Sequence, residues 1–120
     1  MLISIVIFQD FYTVYVGKTC GKNKGAGNWE QVLDKGTGFD ECKKRCNALP
    51  FGKGENHCSC IVLRNSGPQA GQCYLRDGVD KDGCKIEQCK DTKMGKREAY
   101  IRGIVTVSYT HLTLPTIYSV

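Results

Sequence analysis

The pattern of apolar and polar residues changes several times along the chain. "MLISIVIF", residues 1–8, is almost continuously apolar, and "FYTVYVGK", residues 11–18, is rich in aromatic and β-branched residues, as in a strand. "CGKNKGAGN", residues 20–28, breaks this pattern with glycine and lysine and reads as a loop. In "WEQVL", Trp29, Val32 and Leu33 fall at helical spacing over a very short segment. The best helix is "TGFDECKKRCNAL", residues 37–49. Phe39, Cys42, Cys46 and Leu49 recur there at intervals of three and four, which places them on one stripe. Lys43, Lys44 and Arg45 fall largely off the stripe, toward solvent. Thr37 and Asp40 have the spacing of a capping box, with Asp in place of Glu, and Pro50 stops the helix.

After the helix, "FGKGENH" is a loop and "CSCIVLR", residues 58–64, is the strongest strand. "NSGPQAG" is a turn that pairs it with a second strand, "QCYLR". "DGVDKDG" is another turn, and "REAYIRG" is the last strand of a domain expected over residues 11–105. No internal repeat or low-complexity linker interrupts it.

The two ends read differently. Residues 1–10 are too short to span a membrane, which takes about 20 apolar residues. They also lack the charged start and small-residue cleavage site of a signal peptide, so a first strand and a truncated leader both stay open. Residues 107–120 contain no cysteine, lysine, glycine or acid. The ten residues from Val107 to Thr116 can be written, in one reading frame, as a translated transposon-based sequencing adapter. Residues 106–120 are therefore read as a non-native, adapter-derived tail, and neither it nor His111 is assigned a function.

Composition sharpens the picture. The 120 residues include 8 cysteines, 14 glycines and 3 prolines, with thinly spread large apolar residues. A domain this small often needs staples, and an even cysteine count fits four disulfides formed in an oxidising compartment. The net charge of +5 favours acidic partners weakly, because lysines spread along most of the chain also make an ordinary solvated surface.

In "CKKRC", Cys42 and Cys46 lie about 6 Å apart along a helix and face the same way. Cys58 and Cys60, two apart on a strand, are expected to share one face of it. A helix packed on a sheet through this stripe would be pinned by disulfides. Zinc is the alternative, with Cys42, Cys46, Cys58 and Cys60 as thiolate ligands. The C-x2-C knuckles typical of structural zinc are missing, and His57 is the one histidine of residues 11–105. A thioredoxin-like redox pair also wants C-x2-C.

The order "CKKRCNALPF…CSCIVL…GQCYL" resembles the PAN/apple family: C-x3-C on a helix, a third cysteine opening a strand, then a "CYL" strand after a turn. The match is good over residues 37–76 and loose over 11–105. The resemblance implies an α+β fold, a small disulfide-rich antiparallel sheet cradling one α-helix. By position it implies bridges Cys42 with Cys73 and Cys46 with Cys58. It also implies a tie between the ends of the domain, Cys20 with Cys84 or Cys89. Cys60 departs from the family pattern and would pair with whichever of those two is left.

Enzyme chemistry is not expected. A triad would have to use His57, and neither a P-loop nor a Rossmann glycine pattern occurs. A calcium loop with Asp82 fifth would end at Cys89, which has no carboxylate. No cofactor is expected. Nucleic-acid binding has basic charge but no motif, and no membrane span is foreseen. The resemblance instead implies a secreted or extracellular binding module for a protein or carbohydrate, part of a larger secreted or surface protein. Lys43, Lys44 and Arg45, with Lys90, Lys93, Lys96 and Arg97, would form an anionic-glycan patch if the two groups met in space. The alternative from another class is a stand-alone secreted disulfide-rich effector, such as a toxin or protease inhibitor.

Overall fold

The computed structural model describes residues 3–111. In chain order its elements are β1 (Ile3–Val16), β2 (Lys18–Thr19), β3 (Gly21–Lys22), β4 (Gly25–Ala26), β5 (Glu30–Leu33), α1 (Phe39–Asn47), β6 (Cys60–Arg64), β7 (Cys73–Arg76), β8 (Lys90–Asp91) and β9 (Arg97–His111). Five of them form one sheet, ordered β1-β9-β6-β7-β5, with every neighbouring pair antiparallel. Single-turn 3-10 segments at Ile86–Gln88 and Lys93–Gly95 flank β8. The fold is α+β: an antiparallel sheet, one helix and three disulfides.

Strand β6 is central, and both its faces are covered. Ile61 pairs with Tyr100 and Leu75, and Val62 pairs with Ala99 and Tyr74. Side chains alternate across a strand, so Ile61 and Leu63 point to the α1 face while Cys60, Val62 and Arg64 point away. Two clusters follow. On the α1 face Ile61 and Leu75 pack with Leu33, Cys42, Cys46, Cys58 and Cys73. On the opposite face Cys60, Val62 and Ala99 pack with Cys20, Ala26 and Cys89. A strand sealed on both sides needs the continuous apolar run "CIVL" rather than alternation.

Helix α1 uses the expected stripe. Cys42 and Cys46 are buried, and Phe39 and Leu49 pack against their cluster. Its start differs from the capping-box expectation. Gly38, at φ 87° and ψ 148°, takes the N-cap position, and no side chain caps the helix. Thr37 thus lies one residue outside, where its backbone N–H donates to Asp34 O at 2.9 Å.

Two further expectations are corrected. "WEQVL" is not helical: Glu30–Leu33 is edge strand β5, because pairing with β7 buries Leu33 and joins Glu30 to Arg76 at 2.6 Å. Cys58 and Cys60 do not share a face. The chain bends at Ser59, whose hydroxyl holds both the N–H and the carbonyl of Gly52 at 2.9 Å, so Cys58 joins the α1 cluster and Cys60 the opposite one.

The first strand is longer than residues 11–18. β1 begins at Ile3, and its residues 3–8 pair with residues 106–111 of β9. Those later residues are largely β-branched or aromatic and form strand whatever their origin. Residues 112–120 of the adapter-like tail lie outside the described residues.

Candidate functional site: a basic cleft and a disulfide frame

Cys42–Cys73 and Cys46–Cys58 fasten α1 to β7 and to the segment just before β6, with Cα separations of 6.5 and 5.3 Å. These are the pairs that the family resemblance implies. Cys20–Cys89 ties residues 69 apart in sequence. Bridges of this kind contribute about 2–4 kcal/mol each by constraining the unfolded chain. Cys60 and Cys84 are thiols, so the expectation of four closed bridges is met at three. The zinc alternative fails on the same pairing, because Cys42, Cys46 and Cys58 spend their sulfurs on disulfides. His57 lies in the 51–57 loop, its Nδ1 3.0 Å from Glu55 O.

The two basic groups do not meet. Lys43, Lys44 and Arg45 sit on α1, over one face of the sheet. Arg64 and Arg97 are cross-strand partners on the other face, in phase with Cys60 and Val62. The single patch imagined from sequence therefore does not form.

On the helix side, Lys43 and Lys44 border a groove of about 610 Å³ with Asp10, Tyr12, Phe39, Asn47 and Tyr100. The charges there are largely matched. Lys43 reaches Asp40 at 3.6 Å and lies 5.3 Å from the centre of the Phe39 ring, and Arg45 pairs with Glu41 at 3.2 Å. Tyr12 donates to Asn47 Oδ1 at 2.5 Å, and burial pushes its phenol up to about 12.

The second group converges with a residue the sequence reading missed. Lys90 of β8, Lys93 and Lys96 of the following turn and Arg97 at the start of β9 line a cleft of about 530 Å³. Arg64 and the loop at Ser66, Gly67 and Pro68 close its other side. Five cations face this space with one acid, Asp91, which is already paired with Lys18 at 2.9 Å. Among the described residues no salt bridge engages any of the five.

Arg64 is held in place by Tyr74: its Nε donates to Tyr74 Oη at 2.7 Å, and its guanidinium lies 5.6 Å from the ring centre. Arg97 is positioned by Thr19, whose Oγ1 accepts from Nη1 at 3.2 Å. Burial, and then the charge of Arg64, lower the affinity of Arg97 for its proton. Thr92 also lines the cleft, and its Oγ1 is buried and has no hydrogen-bond partner among the described residues. Buried hydroxyls normally find a partner, and this one is an exception. Arg64 was legible only as the polar end of a strand. The register of β6 on β9 is what sets it beside Arg97.

Asp77 and Arg102, two of the three buried ionic residues among the described residues, frame the domain. Asp77 Oδ1 accepts from Trp29 N at 2.9 Å and Oδ2 from Gly54 N at 2.8 Å, tying two loops together. Arg102 does the same at the end of α1, donating to Cys46 O, Leu49 O and Cys58 O. Sequence reasoning singled out neither, because each lies at a polar position of a turn or strand with nothing local to mark it.

Compared with known proteins, the chain matches no family model, no curated protein and no solved structure. Among the described residues no helix is long and apolar enough to cross a membrane. Three disulfides are compatible with an extracellular location.

Proposed function

We propose that this chain is an extracellular binding module of PAN/apple type whose ligand is an anionic glycan, taken up in the cleft between the 66–68 loop and the 90–97 segment. The observation that carries the reading is the cleft itself: five cations against one neutralised acid. Crowded guanidinium groups at Arg64 and Arg97 repel each other, and a sulfate or carboxylate placed between them relieves that repulsion. Lysines supply point charges and arginines can bind an oxyanion in bidentate fashion. Lys43, Lys44 and Arg45 are no part of this site.

Retention on heparin resin tests the reading. The native chain is expected to elute well above physiological salt, and K93E/K96E to elute much earlier. K43E/K44E, on the other face, is expected to elute close to the native chain. Elution of the native chain at or below physiological salt would sink the proposal.

A second reading, protein recognition, is favoured by β1. This edge strand exposes Phe8, Val14 and Val16 at 74, 48 and 70 %, and an open strand edge can accept a partner strand. Retention on heparin that is indifferent to both double variants would favour neither cleft nor helix and shift attention to this edge.

A further inference from the structure

Cys60 and Cys84 are left as thiols, yet they are neighbours. Cys60 opens β6, fully buried, on the face away from α1 and in register with Arg76 and Ile101. Cys84 is half-buried and packs on the same cluster, which also holds the Cys20–Cys89 bridge. Both thiols thus lie in one cluster, and Cys84 Sγ donates to Asp77 O at 3.4 Å. Residues 77–83, between β7 and Cys84, form a folded turn in which Val79 N donates to Gly83 O and Gly83 N to Asp80 O, each at 3.1 Å. The turn therefore delivers Cys84 to Cys60 rather than leaving it to chance.

We propose that Cys60 and Cys84 form a fourth disulfide when the folded chain meets a small-molecule disulfide oxidant, with Cys84 as the entry point. The Cys84 thiolate attacks one sulfur of the oxidant, which stays bonded to Cys84 as a mixed disulfide, while the oxidant's other sulfur leaves and is protonated to a thiol. Cys60 then loses its proton and attacks the Cys84 sulfur, expelling the second oxidant thiol. Two S–H bonds of the protein and one S–S bond of the oxidant break. One S–S bond forms in the protein and two S–H bonds form on the oxidant, so two electrons pass from protein to oxidant.

The order of events follows from access. Cys60 is sealed in the core and cannot meet a solute, whereas Cys84 is partly open. Hydrogen bonding to Cys60, followed by burial, raises the Cys84 thiol above its usual range. The nucleophile is the thiolate, so closure is slow at neutral pH and quickens as pH rises. The bridge would tie the central strand to the 77–89 segment. With Cys20–Cys89 it would pin both ends of the turn that leads into β8.

The test uses the full chain, folded, exposed to oxidised glutathione at several pH values. Samples are quenched in acid, alkylated in denaturant without reductant, weighed and mapped by proteolysis. The expected result is loss of two alkylation sites, one new cross-linked pair containing Cys60 and Cys84, and a rate that rises with pH. A chain isolated already bridged at these positions is the same result. Two alkylated thiols after prolonged oxidation would overturn the proposal, as would Cys20 linked to Cys84 with Cys60 linked to Cys89. Cys60→Ser removes only the resolving thiol and is expected to trap a stable glutathione adduct on Cys84. Absence of that adduct would overturn the entry through Cys84.

Discussion

Arg102 and Asp10 form an ion pair at 2.8 Å across the β1–β9 ladder, and the rest of the arginine closes the end of α1. Its Nη1 reaches Cys46 O, Leu49 O and Cys58 O at 3.0, 2.8 and 2.8 Å. Helix ends leave carbonyls without partners, and a cation there also meets the negative end of the helix dipole. One side chain thus joins helix, loop and two strands.

Replacing Arg102 by Met is expected to destabilise the domain by about 3–5 kcal/mol, because it strands several buried carbonyls and one carboxylate. Arg102→Lys recovers part of this but cannot reproduce the fork. Asp10→Asn should cost less, since the Asp10 side chain is 25 % exposed. Denaturant midpoints with the disulfides intact check the order. Equal stability of native and Arg102→Met chains would contradict it.

Gly27 has no room for a methyl group. A Cβ there would lie 2.3 Å from Gly78 O and 2.5 Å from Asp77 Oδ1, and its N–H donates to Asp77 O at 2.9 Å. Gly27→Ala is expected to cost at least about 1–3 kcal/mol by overpacking against backbone. Gly36→Ala, where nothing lies within 4 Å, should stay within about 0.5 kcal/mol of native. Thermal unfolding of the two variants side by side is the measurement.

Two tyrosines titrate late. Burial lifts Tyr12 to about 12, partly opposed by the positive charge of Arg102. Burial and a short hydrogen bond to Glu98 lift Tyr100 to about 12. A folded-state pKa above the unfolded value near 10 means the stabilisation is complete below pH 10. It is lost as pH rises through about 12, where the folded-state tyrosines ionise. Absorbance titration of phenolate should show Tyr12→Phe and Tyr100→Phe each removing one late-ionising group. An unchanged late phase in both variants would refute the assignment.

Neither core cluster includes a residue before Tyr12 or after Ile101, and Asp10 and Arg102 mark the outer limits of the ionic frame. A chain of residues 9–105 is therefore expected to fold with the Cys20–Cys89, Cys42–Cys73 and Cys46–Cys58 bridges. Its Tm should fall within about 8 °C of the full chain, the shift that about 1 kcal/mol produces in a domain this small. Scrambled bridges in the short chain would show that the β1–β9 extension is needed.

Much of the fold was legible because it rests on local periodicity. The stripe Phe39, Cys42, Cys46, Leu49 needs nothing but helix geometry to face one way, and it does. "CIVLR" and "CYLR" pair across a turn marked by Gly67, Pro68 and Gly71. The errors fell where a distant partner outweighed local spacing. β7 pulls "WEQVL" into a strand, and Gly52 bends the chain at Ser59 and separates Cys58 from Cys60.

The class of the molecule follows from the residues alone: eight cysteines, one amphipathic helix and short strands fit a small stapled α+β domain. The sequence also marks Lys90, Lys93, Lys96 and Arg97 as one basic segment, since they are neighbours in the chain. Which charges share a space depends on how the strands pair. Alternation along β6 and β9 puts Arg64 and Arg97 on one face of the sheet and α1, with its lysines, on the other. Strand register is a property of pairs of strands, set by which faces are buried, and no single segment contains it.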